Sequence, residues 1–176
     1  SGEKLEPETY TSYDLALDNR DALAGDIYKN AEGYYRSVFE NAGGSISFYP
    51  DKSGAVPTAE LYRRETAEIS VQGVKEFCKK HGITENVFFI SAFGITLGKY
   101  NFKKDAVFTT IYHGRNDSRL SETVGMLVKT LPVYCNFAGS TEQCLTEVQK
   151  QLINSMNNDI YPFSQISHEF NIKADA

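Results

Sequence analysis

Few residues in this sequence have types that could do chemistry, and most of them are spaced without a pattern. Histidine is the commonest general base, and there are three: His81, His113 and His168. His81 follows Lys79 and Lys80 at the end of a helical pattern, where the helix dipole favours cations. His168 stands beside Glu169 and reads as half of a solvated surface pair. His113 is better placed, because it follows a β-prone run and precedes Gly114-Arg115-Asn116-Asp117. Open sheets bind ligands at the carboxyl ends of their strands. No nucleophile is paired with His113 in the sequence, however. Arg115 could clamp an anion, or it could pair with a structural carboxylate from Asp105, Asp117 or Glu122. Cys78, Cys135 and Cys144 match no zinc or redox spacing. They read as small buried hydrophobes of a protein in reducing cytoplasm. There is no phosphate loop, no Gly-x-Ser-x-Gly elbow and no cluster with metal-ligand spacing. These residues describe a scaffold, with no catalytic residue, no metal site and no directly bound cofactor.

The elements that must position them are clearest in the middle of the chain. Val71, Val74, Phe77 and Cys78 form one helical face, with Ser70 as cap and Gly82 as stop. Thr84 can cap the next helix, which is apolar nearly all round from Val87 to Leu97 and so is expected to be buried on several sides. Gly94 and Gly98 lie one turn apart on it and allow another element to approach its backbone closely. Ala106 to Tyr112 is a continuous β-prone run, the pattern of a strand covered on both faces. Leu131, Val133, Cys135 and Phe137 alternate in a second strand, with Pro132 near its start or on an edge. Ser140 and Gln143 form a capping box for a helix through Leu145, Val148, Leu152 and Met156. Tyr161-Pro162-Phe163 interrupts that helix before a short final turn through Ile166 and Phe170.

Nearer the N-terminus, Pro7, Tyr10, Tyr13 and Leu17 predict a short helix with proline in its first turn. A second helix is capped by Asp26, carries Ile27, Ala31, Tyr35 and Val38, and ends at Gly43-Gly44. Ile46, Phe48 and Tyr49 predict a strand, residues 50–54 a turn, and residues 59–69 a half-exposed strand. Helices interleaved with strands imply a layered α/β fold.

The chain has 176 residues, 41% of them hydrophobic and 23% charged, which fits one globular domain. Acidic residues outnumber basic ones 23 to 18, for a net charge of −5. That balance argues against nucleic acid or an anionic membrane as a main partner. There is no apolar run long enough for a membrane span. Ser1-Gly2-Glu3-Lys4 lacks the plan of a signal peptide. An opening without methionine leads us to expect a piece of something longer.

Several stretches, in order, resemble the condensation domain of nonribosomal peptide synthetases. Thr84 to Tyr100 resembles the buried helix of that family, and Asp105 to Tyr112 with Gly114-Arg115 resembles its "dDvv.Gtpv.GR" strand and turn. Val124-Gly125-Met126-Leu127-Val128-Lys129-Thr130-Leu131-Pro132 is similar to "vGmfvNTLPlR", and Tyr161-Pro162-Phe163-Ser164-Gln165-Ile166 to "DYPFeql". Tyr34-Tyr35-Arg36 and Tyr49-Pro50-Asp51 resemble "yWr" and "lPtDrp". Departures fall at Lys129 (usually Asn), Tyr134 (commonly Arg) and Asn158-Asp159-Ile160 (usually His-Gln-Asp). The paired histidines of the family's His-His-x-x-x-Asp-Gly motif are absent from these residues.

The resemblance implies one lobe, residues 1–176, of a two-lobed domain: a layered α/β sandwich resembling the chloramphenicol acetyltransferase-like fold, with a mixed sheet covered by helices. It corresponds to much of the C-terminal lobe, incomplete at its C-terminal end. In that family an amine on one carrier protein attacks a thioester on another across a tunnel between the lobes. The implied partners are the N-terminal lobe and peptidyl carrier proteins bearing phosphopantetheine. The implied tunnel-wall residues are Arg115, Asn116, Lys129 and Thr130. Gly114, Gly125, Leu131, Pro132, Tyr161, Pro162 and Phe163 would be structural motif residues. Isolated, the lobe is expected to be inactive and to self-associate through surface its partner would cover. A non-catalytic carrier-docking module, an epimerisation domain or a related acyltransferase are the alternatives.

Overall fold

The computed structural model describes residues 7–48 and 69–173. Helices α1 (Ser12–Leu23), α2 (Asp26–Phe39), α3 (Val71–His81) and α4 (Glu85–Tyr100) precede strand β1 (Asp105–Tyr112). A short 3-10 turn (Ser118–Leu120) leads to β2 (Lys129–Asn136), and α5 (Thr141–Asn157) and α6 (Phe163–Phe170) close the order. Strands β1 and β2 pair antiparallel, from Asp105 opposite Asn136 to Tyr112 opposite Lys129. The layered α/β fold is the one expected, although no parallel pairing occurs among the described residues.

Alternation along the strands builds two cores. Ala106 and Phe108 of β1 and Val133 and Cys135 of β2 face a cluster with Val87 and Leu97 of α4 and Leu145, Val148 and Leu152 of α5. Val107 faces the other way, into Ala31, Tyr35 and Phe39 of α2 with Tyr161, Ile166 and Ile172. The sheet is therefore covered on both faces where β1 is most apolar, and successive side chains point to opposite faces. All three cysteines are buried and free, as their spacing implied. The sulfurs of Cys135 and Cys144 lie 3.2 Å apart.

The glycines of α4 let the sheet approach. A Cβ on Gly94 would lie 2.7 Å from the Cys135 Cβ and 2.9 Å from the Phe108 ring, and one on Gly98 would lie 2.5 Å from the Phe137 ring. Such overpacking costs about 1–3 kcal/mol. Phe89 and Phe93 are nonetheless exposed, so α4 is buried on fewer sides than its composition implied. Pro132 is accommodated by register. The Val107 carbonyl accepts from the Ile46 N–H (3.0 Å), and the Tyr134 N–H donates to Gln151 Oε1 (2.8 Å). Both groups face away from the β1–β2 ladder, and so does the nitrogen two residues before Tyr134. The proline therefore removes no ladder bond.

Caps at Ser70, Thr84 and Ser140 form as expected, the last as a reciprocal box with Gln143. Four elements differ from expectation. Helix α1 starts after Thr11, because a Thr11–Asp14 capping box supplies a stronger start than Pro7. Gly25 rather than Asp26 is the N-cap of α2, which ends at Phe39 before the two glycines. Residues 43–48 form no ladder of their own; Ile46 only donates to β1. The final turn is a full helix, α6, entered from Pro162. The turn expected at 50–54 and nearly all of the strand at 59–69 lie outside the described residues, as does Tyr49.

Candidate functional site: two clefts that meet at Lys129 and Asp159

Where β1 ends, Gly114 adopts φ +72°, and the Leu127 main chain crosses directly over it. Any Cβ at Gly114 would collide with the Leu127 carbonyl. That crossing brings the strand exit and the segment leading into β2 together. Gly125 is under no comparable constraint, since a Cβ there would make only an ordinary 3.4 Å contact with Ser12. Leu131 and Pro132 are buried in β2, Tyr161 is buried beside α6, and Phe163 begins that helix.

Two clefts open on this crossing. The first, about 480 Å³, is floored by Gly114, Asn116, Leu127 and Lys129 and walled by Tyr10, Asp18, Asp117 and Arg119. The second, about 460 Å³, is lined by Thr130, Leu131, Tyr161, Pro162 and Phe163. Lys129 and Asp159 border both. Lys129 Nζ lies 2.9 Å from Asp159 Oδ1 and also donates to the Asp159 carbonyl (3.1 Å), with the side chains 34% and 22% exposed. The residue at the family's asparagine position is thus an ammonium held between the clefts.

The wall of the first cleft is a closed charge network. Arg119 pairs with Asp117 (2.6 Å) and Asp18 (3.0 Å), and its guanidinium sits 4.4 Å from the centre of the Tyr10 ring. The Tyr10 hydroxyl donates to Asp18 (2.7 Å). Hydrogen bonds from Arg119 hold the Asp117 carboxyl below the usual range, and the bond to Asp18 raises the Tyr10 phenol. Arg115 points elsewhere: it donates to the carbonyls of Leu120 and Thr123, the latter at 3.0 Å, and holds the loop after β1. None of the carboxylates near it in sequence, Asp105, Asp117 or Glu122, is its partner among the described residues, and Asp117 is taken by Arg119 instead. Thr123 in turn donates to the Tyr10 carbonyl (2.6 Å), and the Val124 N–H donates to Glu8 (2.9 Å), which fastens the N-terminal segment to this loop. Asn116 donates to the Met156 carbonyl (3.0 Å) and still lines the first cleft.

Of the four residues that the resemblance marks as tunnel-wall candidates, the structure brings Asn116, Lys129 and Thr130 to the clefts, and Arg115 to the loop that frames them. Sequence reasoning missed Tyr10, Asp18, Arg119 and the partner role of Asp159. Only Asp117-x-Arg119 carried a local signal, as a short-range pair. His113 is exposed, and its Nδ1 accepts from the Arg115 N–H (3.0 Å) rather than activating a nucleophile. His81 packs on Phe77 and lies 3.5 Å from Glu142. Beside the clefts, the Tyr112 hydroxyl is buried, and its phenol is raised by burial and by Asp159. No group of three or more potential metal ligands assembles among the described residues, and none of their helices is long and apolar enough to cross a membrane. Chemically, the arrangement can shape and orient ligands; its charges are already paired with one another.

Comparison with known proteins bears on the family and the fold. Nonribosomal peptide synthetase sidC of Arthroderma benhamiae is 30% identical over 134 residues, covering 76% of this chain and 3% of that protein. Surfactin synthase subunit 1 of Bacillus subtilis is 26% identical over 183 residues, covering 99% of this chain and 5% of that protein. Among solved structures, the SgcC5 protein of Streptomyces globisporus superposes with a TM-score of 0.78 at 20% identity, over 96% of this chain and 39% of that one. The first condensation domain of the calcium-dependent antibiotic synthetase gives 0.72 at 14% identity, over 96% and 38%. The chain thus spans a few hundredths of these synthetases and about two-fifths of the solved chains. The family model of the condensation domain matches residues 1–176, and the chain belongs to that family.

Proposed function

We propose that this chain is the C-terminal lobe of an amide-forming condensation domain and supplies one wall of its substrate tunnel. One observation carries the reading. Residues from three separate stretches, Gly114–Asn116, Leu127–Leu131 and Asp159–Phe163, converge on two adjoining clefts with a shared border. Two carrier-bound substrates that must meet at one point need such paired approaches, because alignment of reactants is a large part of catalysis for bimolecular steps. In the reaction, the acceptor amine attacks the donor thioester carbonyl. A C–N bond forms, the C–S bond breaks, and the pantetheine thiol leaves with a proton. The proton-handling histidines would come from the other lobe, which would lie upstream by roughly one lobe's length, ~200 residues. This lobe would orient the substrates through Asn116, Lys129 and Thr130 and exclude water. Partners would be that N-terminal lobe and carrier proteins bearing phosphopantetheine, in the cytoplasm.

Exposed apolar side chains beside the clefts support a covering lobe: Met126 is 90% exposed, Ile111 70% and Val128 52%. Alone, the chain would self-associate through them. The position of the Lys129–Asp159 pair favours a second reading, a non-catalytic carrier-docking module, because the pair stands where the clefts would need to join. The experiment is to express the chain together with its upstream coding region and to measure amide formation between carrier-bound aminoacyl donors and acceptors. Thr130→Trp, which fills the second cleft, should lower the rate at least about tenfold with the fold intact. An upstream region without the paired-histidine motif, or a Thr130→Trp rate equal to wild type, would count against the enzyme.

A further inference from the structure

The turn joining α4 to β1 breaks two local rules at one residue. The Phe102 N–H donates to the Lys99 carbonyl (3.1 Å) and the Lys103 N–H to the Gly98 carbonyl (2.9 Å). This is a helix C-terminal cap whose left-handed position is ordinarily glycine. Here it is Phe102, at φ 56°, where a Cβ is disfavoured. Burial does not offset that cost, because the side chain is 99% exposed. A large aromatic ring held in a strained conformation and left wholly in water contributes nothing to the fold. Such outliers are starting points for a functional hypothesis.

The surroundings give the chemistry of what would cover the ring. Lys99, Lys103 and Lys104 are all exposed, and none forms an ion pair with a described residue. A chain of net charge −5 therefore carries a positive collar around an aromatic knob. The knob is also held in place: the Asn101 side-chain amide donates to the Leu97 carbonyl (2.9 Å) and the Ser47 carbonyl (3.2 Å). A pre-organised aromatic anchor loses little freedom on binding. The eight residues of β1 place it roughly 25 Å from the clefts, so it is a separate surface.

We propose that the turn from Lys99 to Lys104 docks an acidic protein surface, with Phe102 filling an apolar hollow in it and the three lysines facing its carboxylates. The inference rests on the proposed function only for its probe: the apo form of the carrier-protein domain encoded beside this chain, which has no arm to enter the clefts. Its binding to the complete two-lobed domain would be titrated by calorimetry at low and high salt. Wild type should bind, and binding should weaken with salt. Phe102→Gly should weaken it at least about tenfold, with an unchanged or higher Tm, since glycine suits φ 56°. Lys103→Glu/Lys104→Glu should weaken it about tenfold at low salt, with the gap closing toward about 0.5 M salt.

Absence of wild-type binding, or equal binding by Phe102→Gly, overturns the proposal. So does a Tm loss in Phe102→Gly, which would show the ring packed against the other lobe. Self-association abolished by Phe102→Gly also overturns it, by making a second copy the occupant. Amide formation by the wild-type domain is measured in parallel. Docking can fail while condensation stands, and Phe102-dependent docking without amide formation is the reverse result.

Discussion

Replacing Gly114 by alanine tests whether the crossing of β1 by the Leu127 segment really organises the clefts. Two costs can be read from the geometry. The backbone sits at φ +72°, where a residue with a Cβ is disfavoured by about 1–2 kcal/mol. The new methyl group would also occupy the place of the Leu127 carbonyl, so main chain has to move, and overpacking of that kind costs about 1–3 kcal/mol. Together these give a destabilisation of about 2–5 kcal/mol. Gly33 provides the control. It lies inside α2 with nothing within 4 Å of the place a methyl group would take, so Gly33→Ala should stabilise by about 0.5–1 kcal/mol through helix propensity. Urea unfolding of the three proteins, followed by far-UV circular dichroism, would separate the midpoints at a common slope. The reasoning is refuted if Gly114→Ala unfolds within about 0.5 kcal/mol of wild type, or if Gly33→Ala is the more damaging of the two.

The remaining outcomes concern charge and burial. Lys129→Met and Asp159→Asn, combined in a double-mutant cycle, should give a coupling of about 0.5–2 kcal/mol, since the pair is close but part-exposed; zero coupling would remove the pair as a structural link between the clefts. Burial and Glu169 push the Tyr161 phenol up to about 12, and burial raises Tyr35 further, so the folded state keeps protons that the unfolded chain releases. Stability should therefore hold up to the ordinary phenol value near 10 and fall as pH rises through about 12, with a shallower fall in Tyr161→Phe. In acid the sign reverses: Asp14 and Asp117 are held low by hydrogen bonds from Thr11 and Arg119, so their contribution is present above the usual carboxylate range and is lost below it. A shallower acid limb in Asp14→Asn/Asp117→Asn than in wild type is the check. The thiols of Cys78, Cys135 and Cys144 are buried, and contact with Cys144 together with burial pushes the Cys135 thiol up. Labelling by a thiol reagent should therefore follow global unfolding, and rapid native labelling of Cys135 or Cys144 would contradict the packing.

Much of the scaffold was legible because its signals are local. The caps at Ser70, Thr84 and Ser140 need only a hydroxyl and the next turn of backbone, and each forms. The spacing of Gly94 and Gly98 announced a close approach, and Cys135, Phe108 and Phe137 are what approach. The strand at 105–112 showed its double-sided burial in its composition. Where a boundary is displaced, a second local signal outweighs the first, as the Thr11–Asp14 box that starts α1 outweighs Pro7.

The clefts were less legible. The ordered motifs marked Gly114, Lys129, Thr130 and Tyr161 as belonging together, but not what each side chain would touch. Arg115 and Arg119 stand four residues apart with the same charge and reach, yet one holds carbonyls of its own loop and the other joins Asp117 to Asp18 on α1. Nothing in residue type distinguishes them. The sequence by itself determined the layered fold, the buried cysteines and the family. Only the tertiary structure decided which cations are paired, that Lys129 is held by Asp159, and that Phe102 is left in water. Backbone preferences act within a turn or two, whereas the partner of a long charged side chain depends on which distant segment the packed sheet and helices bring within a few ångströms.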